Sequence, residues 1–206
     1  MNSKRKIQLA DFNRTVILTT ANTLFLSRGI ESTTMDEIAH EAGFSKTTLY
    51  TYFDNKKDIL DHLILEVMAR FYQELIPIAN RQNSFREFYR ELCHALMALH
   101  ETSLAYFSAI AGKIACSEKI TKNNKALKNI AMTGEQIHQI IAKRITDAAE
   151  KKEIGLSAPV ADVMMLFWLC LTGLVESPRT EKNVFYVALR KTVKPFSTSL
   201  LTPSYS

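Results

Sequence analysis

The 206-residue chain is poor in the residues that break regular structure, with six glycines and five prolines. Tight hairpins, glycine-rich phosphate loops and sandwich corners all consume those residues, so their scarcity argues against β architectures and points to an all-α chain. Cysteine is sparse as well. Cys93, Cys116 and Cys170 are odd in number, far apart and each set in an apolar stretch, which reads as reduced core thiols and not as a disulfide framework. No apolar run reaches the roughly 20 residues that a bilayer requires. The most apolar one, Val163 to Val175, is interrupted by Thr172 and Gly173 and reads as a buried helix. The opening Met1 to Lys6 has no signal-type apolar stretch behind it, so a cytoplasmic chain without membrane attachment is expected. Cys-x-x-Cys, HExxH, P-loop and GxSxG patterns are all missing, which leaves catalysis without a visible site and implies no cofactor.

What is present is enough for a core, with 47% apolar and 23% charged residues. The length suits one sizeable domain or a small domain joined to a medium one. A net charge of +5 invites a polyanionic partner, yet the surplus is unevenly placed. Between Met1 and Leu60 eight basic residues stand against seven acidic ones, whereas between Lys113 and Lys152 nine stand against four. Charge alone directs attention to the wrong segment.

Apolar residues recur at helical spacing nearly throughout. Val16, Ile17, Ala21, Leu24 and Phe25 make a first helix that Gly29 stops. Met35, Ile38, Ala39 and Ala42 make a short second one, with Thr33 or Thr34 as cap, Glu37 as capping-box partner and Gly43 at its end. Ser45 caps a third helix to about Tyr52. A fourth runs from Lys56 to Pro77 with Asp54 placed to cap it, and Ser84 opens a fifth with Phe85, Phe88, Tyr89, Leu92 and Leu96 on one face. Further helices are predicted around Ser103 to Ala115 and Asn124 to Lys152. Another opens at Ser157-Ala158-Pro159 and runs to about Glu176, and a last one starts at Thr180 with a kink at Pro195.

The informative stretch is Thr33 to Leu60. Ala39 is small enough to let two short helices approach, Gly43 can take the positive φ of the turn between them, and Leu49 plugs the space they enclose; this is helix-turn-helix spacing. The second of these helices needs only Leu49 and Phe53 for its core, so Lys46, Thr47, Thr48, Tyr50, Thr51 and Tyr52 make it dense in hydroxyl and amine donors. Donors on an open helix face can meet phosphates and base edges in a major groove.

The segment resembles the TetR (tetracycline-repressor-like) family of bacterial transcriptional regulators. Thr33, Thr34, Ile38, Ala39, Ala42, Gly43, Ser45, Leu49, Tyr50, Tyr52, Phe53, Lys56 and Leu60 fall in register with that family's N-terminal signature. The resemblance implies double-stranded DNA as partner, a palindromic operator read by a homodimer, and a repressor that responds to a small-molecule effector. It implies that Thr34, Tyr50, Tyr52 and Lys56 hold phosphates while Lys46, Thr47 and Thr51 face bases, with Ser45 and Thr48 on the same interface. Many members carry glycine where this chain has Thr47, which bears on the bases read. The implied architecture is an N-terminal three-helix helix-turn-helix domain over residues 1–55 and a larger C-terminal helical domain over residues 56–206 for ligand binding and dimerisation. The basic segment Ser3 to Lys6 is read either as a disordered arm entering a minor groove or as a frayed terminus.

Phe71, Phe88, Tyr89, Met97, Tyr106, Phe107, Met132, Met164 and Trp168 together supply more adaptable sulfur and aromatic surface than a minimal bundle needs, which suits a cavity for an apolar or aromatic effector. The nearly all-round apolar helix from Ala158 to Glu176, followed by Val184 to Leu189, calls for a second copy to cover it. The rival reading is a helical ligand-binding or di-metal carboxylate bundle without DNA binding, because Glu-x-x-His occurs at Glu37/His40, Glu91/His94 and Glu135/His138. At about 100° per residue, Glu91 and His94 fall opposite their helix's apolar stripe and Glu135 lies off its own, so these side chains point out of a bundle.

Overall fold

A computed structural model describes residues 3–103, residue 110 and residues 125–175. Among the described residues there are seven helices and no strand: α1 Ser3–Arg28, α2 Met35–Glu41, α3 Lys46–Tyr50, α4 Lys56–Asn80, α5 Phe85–Thr102, α6 Lys125–Glu150 and α7 Val160–Val175. Most of the helix predicted around Ser103 to Ala115, and the last one from Thr180, lie outside the described residues.

Local chemistry sets the boundaries. At the end of α1, Gly29 takes φ +86° and donates its N–H to the Phe25 carbonyl at 3.0 Å, a left-handed exit that glycine adopts without strain. The buried Thr33 returns its hydroxyl to the Gly29 carbonyl at 2.8 Å. The cap of α2 is Thr34: its hydroxyl accepts from the Glu37 N–H while the Glu37 carboxylate accepts from the Thr34 N–H. α5 opens on the same reciprocal box between Ser84 and Glu87.

Five boundaries differ from the sequence expectation. α1 already starts at Ser3, so Ser3 to Lys6 is helix and not a disordered arm. α3 stops at Tyr50, because Thr51 and Tyr52 close tighter bonds onto the Thr48 and Leu49 carbonyls. Asn55, not Asp54, caps α4; its side-chain oxygen accepts the Asp58 N–H at 2.9 Å. α4 runs through Pro77 to Asn80, since a proline so near the C-terminal end forfeits a single bond to the preceding turn. α7 begins at Val160 with the Pro159 carbonyl accepting from Val163 at 3.1 Å, which puts Pro159 in the cap position expected for Ser157.

One hydrophobic core runs through all seven helices. Ile17, Leu18, Ala21, Leu24 and Phe25 of α1 meet Ile38 and Ala39 of α2, Leu49 of α3, and Ile59 and Leu63 of α4. The cluster continues along α4 through Val67, Met68, Phe71 and Leu75 to Phe88, Leu92 and Leu96 of α5, Ile130, Ile137 and Ile141 of α6, and Met164 and Trp168 of α7. α4 packs on α1, α5 and α6, so its 25 residues serve both ends of the molecule. Cys93 is a buried free thiol, pushed up to about 11 by burial against a weaker opposing hydrogen bond with Tyr89.

Candidate nucleic-acid interface

The turn between α2 and α3 needs glycine for its backbone and not for space. Gly43 takes φ +75°, while a Cβ there meets nothing within 4 Å. Its N–H donates to the His40 carbonyl at 3.1 Å and the Phe44 N–H to the Ala39 carbonyl at 2.9 Å, the paired bonds of a Schellman motif. α3 has only five residues and depends on its ends. Ser45 caps it, its hydroxyl accepting the Thr48 N–H at 3.1 Å and sharing a hydrogen bond with the Thr48 hydroxyl at 2.8 Å. Leu49, fully buried, roots the helix in the core.

The structure divides the residues expected at DNA into two groups. Lys46, Thr47, Tyr50 and Thr51 are exposed and share the open side of α3 at i, i+3 and i, i+4 spacing. Lys46 Nζ lies 2.8 Å from the Asp36 carboxylate, and that hydrogen bond holds its ammonium above the ordinary range. Both partners are more than half exposed, so another acceptor can displace the carboxylate at little cost. Thr51 turns its hydroxyl back to the Thr48 carbonyl, and Thr47 makes no side-chain hydrogen bond among the described residues.

The second group is engaged inside the domain. The Thr34, Ser45 and Thr48 hydroxyls belong to the caps, and the half-buried Tyr52 hydroxyl accepts from Asn13 Nδ2 at 2.9 Å. Lys56, expected at a phosphate, instead donates its ammonium to the Ile30 carbonyl at 2.6 Å and the Glu31 carbonyl at 3.3 Å, tying the start of α4 to the α1–α2 turn. Asn13 and Arg14 of α1 and His62 of α4, which brace the C-terminal end of α3 from behind, were not legible, because the pairs are 38 to 48 residues apart in sequence.

Of the effector candidates, Phe71, Phe88, Met164 and Trp168 are buried in the common core and Tyr89 and Met97 are half-buried. Met132 is 55% exposed on α6, outside that core, and Tyr106 and Phe107 lie outside the described residues. A groove of about 680 Å³ opens at the far end of α4 with a mixed lining, in which Ile76, Ala79 and Ile140 stand beside charged residues such as Lys143, Arg144 and Asp147, and none of these candidates lines it. The Glu-x-x-His carboxylates have other partners, Glu37 in its capping box and Glu91 with Arg81 at 2.7 Å. Among the described residues no three His, Cys, Asp or Glu side chains gather as a metal-holding group, and no helix is long and apolar enough to cross a membrane.

An all-helical chain that holds a donor-rich helix across a glycine turn from a second short helix is a helix-turn-helix protein. Residues 17–63 match the family model described as bacterial regulatory proteins, tetR family, so the helix-turn-helix segment carries that family's N-terminal pattern. It is 41% identical over 65 residues to the HTH-type transcriptional repressor BepR of Brucella suis biovar 1, a match covering 32% of this chain and 30% of that one. It is 32% identical over 82 residues to the tetracycline repressor protein class D of Escherichia coli, covering 40% of this chain and 37% of that one. The chain thus spans about a third of the length of these two relatives. Among solved structures, the ketosteroid transcriptional regulator KstR2 of Mycobacterium tuberculosis shares the fold with a TM-score of 0.62 over 88% of this chain and 93% of that one, at 19% identity.

Proposed function

We propose that this protein is a non-enzymatic, cytoplasmic, homodimeric repressor that binds a palindromic operator through α3 and is released by a small apolar or aromatic effector. The observation that carries the reading is the exposed row Lys46, Thr47, Tyr50 and Thr51, which the fold leaves without packing duties inside the segment that matches the tetR family. Lys46, Thr47 and Thr51 face base edges; Tyr50 and Tyr52 meet phosphates at the flanks with the capped end of α2 at Thr34. Residues 1–55 form the DNA-binding unit and residues 56–206 the effector-binding and dimerisation unit, joined by α4. The apolar side chains Met165 and Leu166 of α7, 59% and 58% exposed, suit a second copy. Phe71, Phe88, Tyr89, Met97, Met164 and Trp168 supply the effector's surroundings, with Tyr106 and Phe107 from the adjoining segment.

The test is selection from random duplex DNA. The wild type should enrich an inverted repeat with half-sites about 10 base pairs, or a multiple of one helical turn, apart. Thr47→Ala and Lys46→Ala should each change the preferred base at one position per half-site, because base-edge contacts specify and phosphate contacts position. A pool without enrichment overturns the reading, and an identical consensus for all three proteins overturns the assignment of this face to bases.

A further inference from the structure

Arg14 joins three elements behind α3. Its Nη1 donates to the Tyr52 carbonyl at 3.1 Å, its guanidinium lies 4.4 Å from the centre of the Phe53 ring, and its Nη2 stands 2.5 Å from Nε2 of His62 on α4. A guanidinium carries donors only and stays charged, so Nε2 is the acceptor and the ring is neutral in this contact. The other nitrogen agrees with that assignment. Nδ1 lies 2.8 Å from the Asp58 carbonyl, which can only accept, so Nδ1 carries the ring's proton.

Resting on the DNA-binding reading above, we infer that the Arg14–His62 contact is a proton-sensitive latch on the pose of α3, and that protonating His62 weakens DNA binding. The charged groups facing the imidazole are Arg14 from α1 and, from its own helix, Asp58, whose carboxylate is 3.4 Å from Nδ1. The α3–α4 connection presents the Phe53 ring at 5.4 Å, and the titratable Tyr52 hydroxyl is held by Asn13. Asp58 favours a proton on the nitrogen that already has one. The proton added on acidification goes to Nε2, where it removes an acceptor and sets two cations against each other. Arg14 then leaves, and its bond to Tyr52 and its place over Phe53 go with it. Those are the two residues that follow the C-cap of α3, so the helix loses its brace from α1 and α4 together.

The sign separates this latch from a general charge effect, because added protons ordinarily tighten a protein's hold on a polyanion. Affinity is measured at about pH 8 and about pH 5.5 at one ionic strength, the span over which histidines change charge, with the duplex consensus selected by the wild type at the higher pH as probe. Acidification should weaken wild-type binding about tenfold, the loss of one charge-assisted hydrogen bond. His62→Gln, whose amide oxygen can accept from Arg14 but takes no proton, should lose that weakening, whereas His40→Gln on the exposed face of α2 should keep it. Wild-type affinity that is unchanged or tighter at acid pH, or a weakening that survives in His62→Gln, overturns the latch and leaves the DNA-binding reading standing. Failure to select any DNA overturns that reading instead. The latch is then decided without DNA by the nitrogen chemical shifts of His62 in the wild-type protein at about pH 8, as also if His62→Gln does not fold. A neutral ring protonated at Nδ1 supports it, and a ring protonated at Nε2 overturns it.

Discussion

Two lysines of the same unit put the same charge to different ends. Lys46 rests against an exposed carboxylate that an acceptor on a base edge can replace, while Lys56 caps two main-chain carbonyls at the base of α4. Lys46→Ala should therefore change the base preferred at one position of each half-site, and leave stability within about half a kcal/mol. Lys56→Met should do the reverse, removing about 1–3 kcal/mol of stability with little change in the slope. Selection from random duplex DNA reads the first effect, and urea titration with DNA binding across a salt series reads the second. A slope lowered by about one unit in Lys56→Met would mean that Lys56 reaches a phosphate after all.

At the scale of the element, the ends of the helices do what their short lengths cannot. Glu37 and Glu87 are held below their ordinary 4.5, chiefly by backbone and side-chain hydrogen bonds with Thr34 for the first and side-chain and backbone hydrogen bonds with Ser84 for the second. A carboxyl lowered in the folded state contributes stability above its unfolded value and loses it as pH falls through the folded one. The melting temperature of the wild type should therefore fall faster between about pH 5 and about pH 3 than that of Glu37→Gln/Glu87→Gln, where no charge is lost. Gly43→Ala should cost about 1–2 kcal/mol through its left-handed backbone alone, since the open space around it rules out a clash. Thermal denaturation checks both, and a neutral Gly43→Ala would show that the turn can relax.

These ends were also the most legible part of the chain. Thr34, Ser45, Ser84, Gly29 and Gly43 announce themselves because capping and left-handed exits depend on residues within a few positions of each other. Asn55 in place of Asp54, and Pro159 in place of Ser157, show the limit of that locality: several good caps in a row leave the choice to packing elsewhere. The register from Thr33 to Leu60 likewise showed which face of α3 stays open. It was silent on whether Lys56 points at a phosphate or at the Ile30 carbonyl, and on the bracing by Arg14, because those depend on how α1 and α4 come together. Met132 has the chemistry of a cavity residue, and only its rotation on α6 sets it outside.

At the scale of the molecule, the proposed boundary at residue 55 cuts through a packed core and not between two. Ile59 and Leu63 of α4 are buried in the same cluster as Ile17, Phe25 and Leu49. A fragment of residues 1–55 lacks those partners, and each missing aliphatic side chain withholds about 1.5–3 kcal/mol of burial. The fragment should be largely unfolded by circular dichroism, whereas the whole chain should unfold in one transition seen alike by circular dichroism and by Trp168 fluorescence. Two separate transitions would show that α4 transmits less between the ends than its packing suggests. Coupling through α4 must also be reciprocal: an effector that loosens DNA by some factor is itself loosened by DNA by the same factor.

The side chain of Thr47 is exposed and makes no hydrogen bond among the described residues, unlike Ser45 and Thr48 on either side of it. Replacing it carries no folding penalty, whereas replacing its neighbours undoes the cap of a five-residue helix. On the proposed assignment of Thr47 to base edges, descendants of this protein can wander in operator preference through position 47 while their architecture stands still. Divergence in what is read needs no compensating change in what is folded.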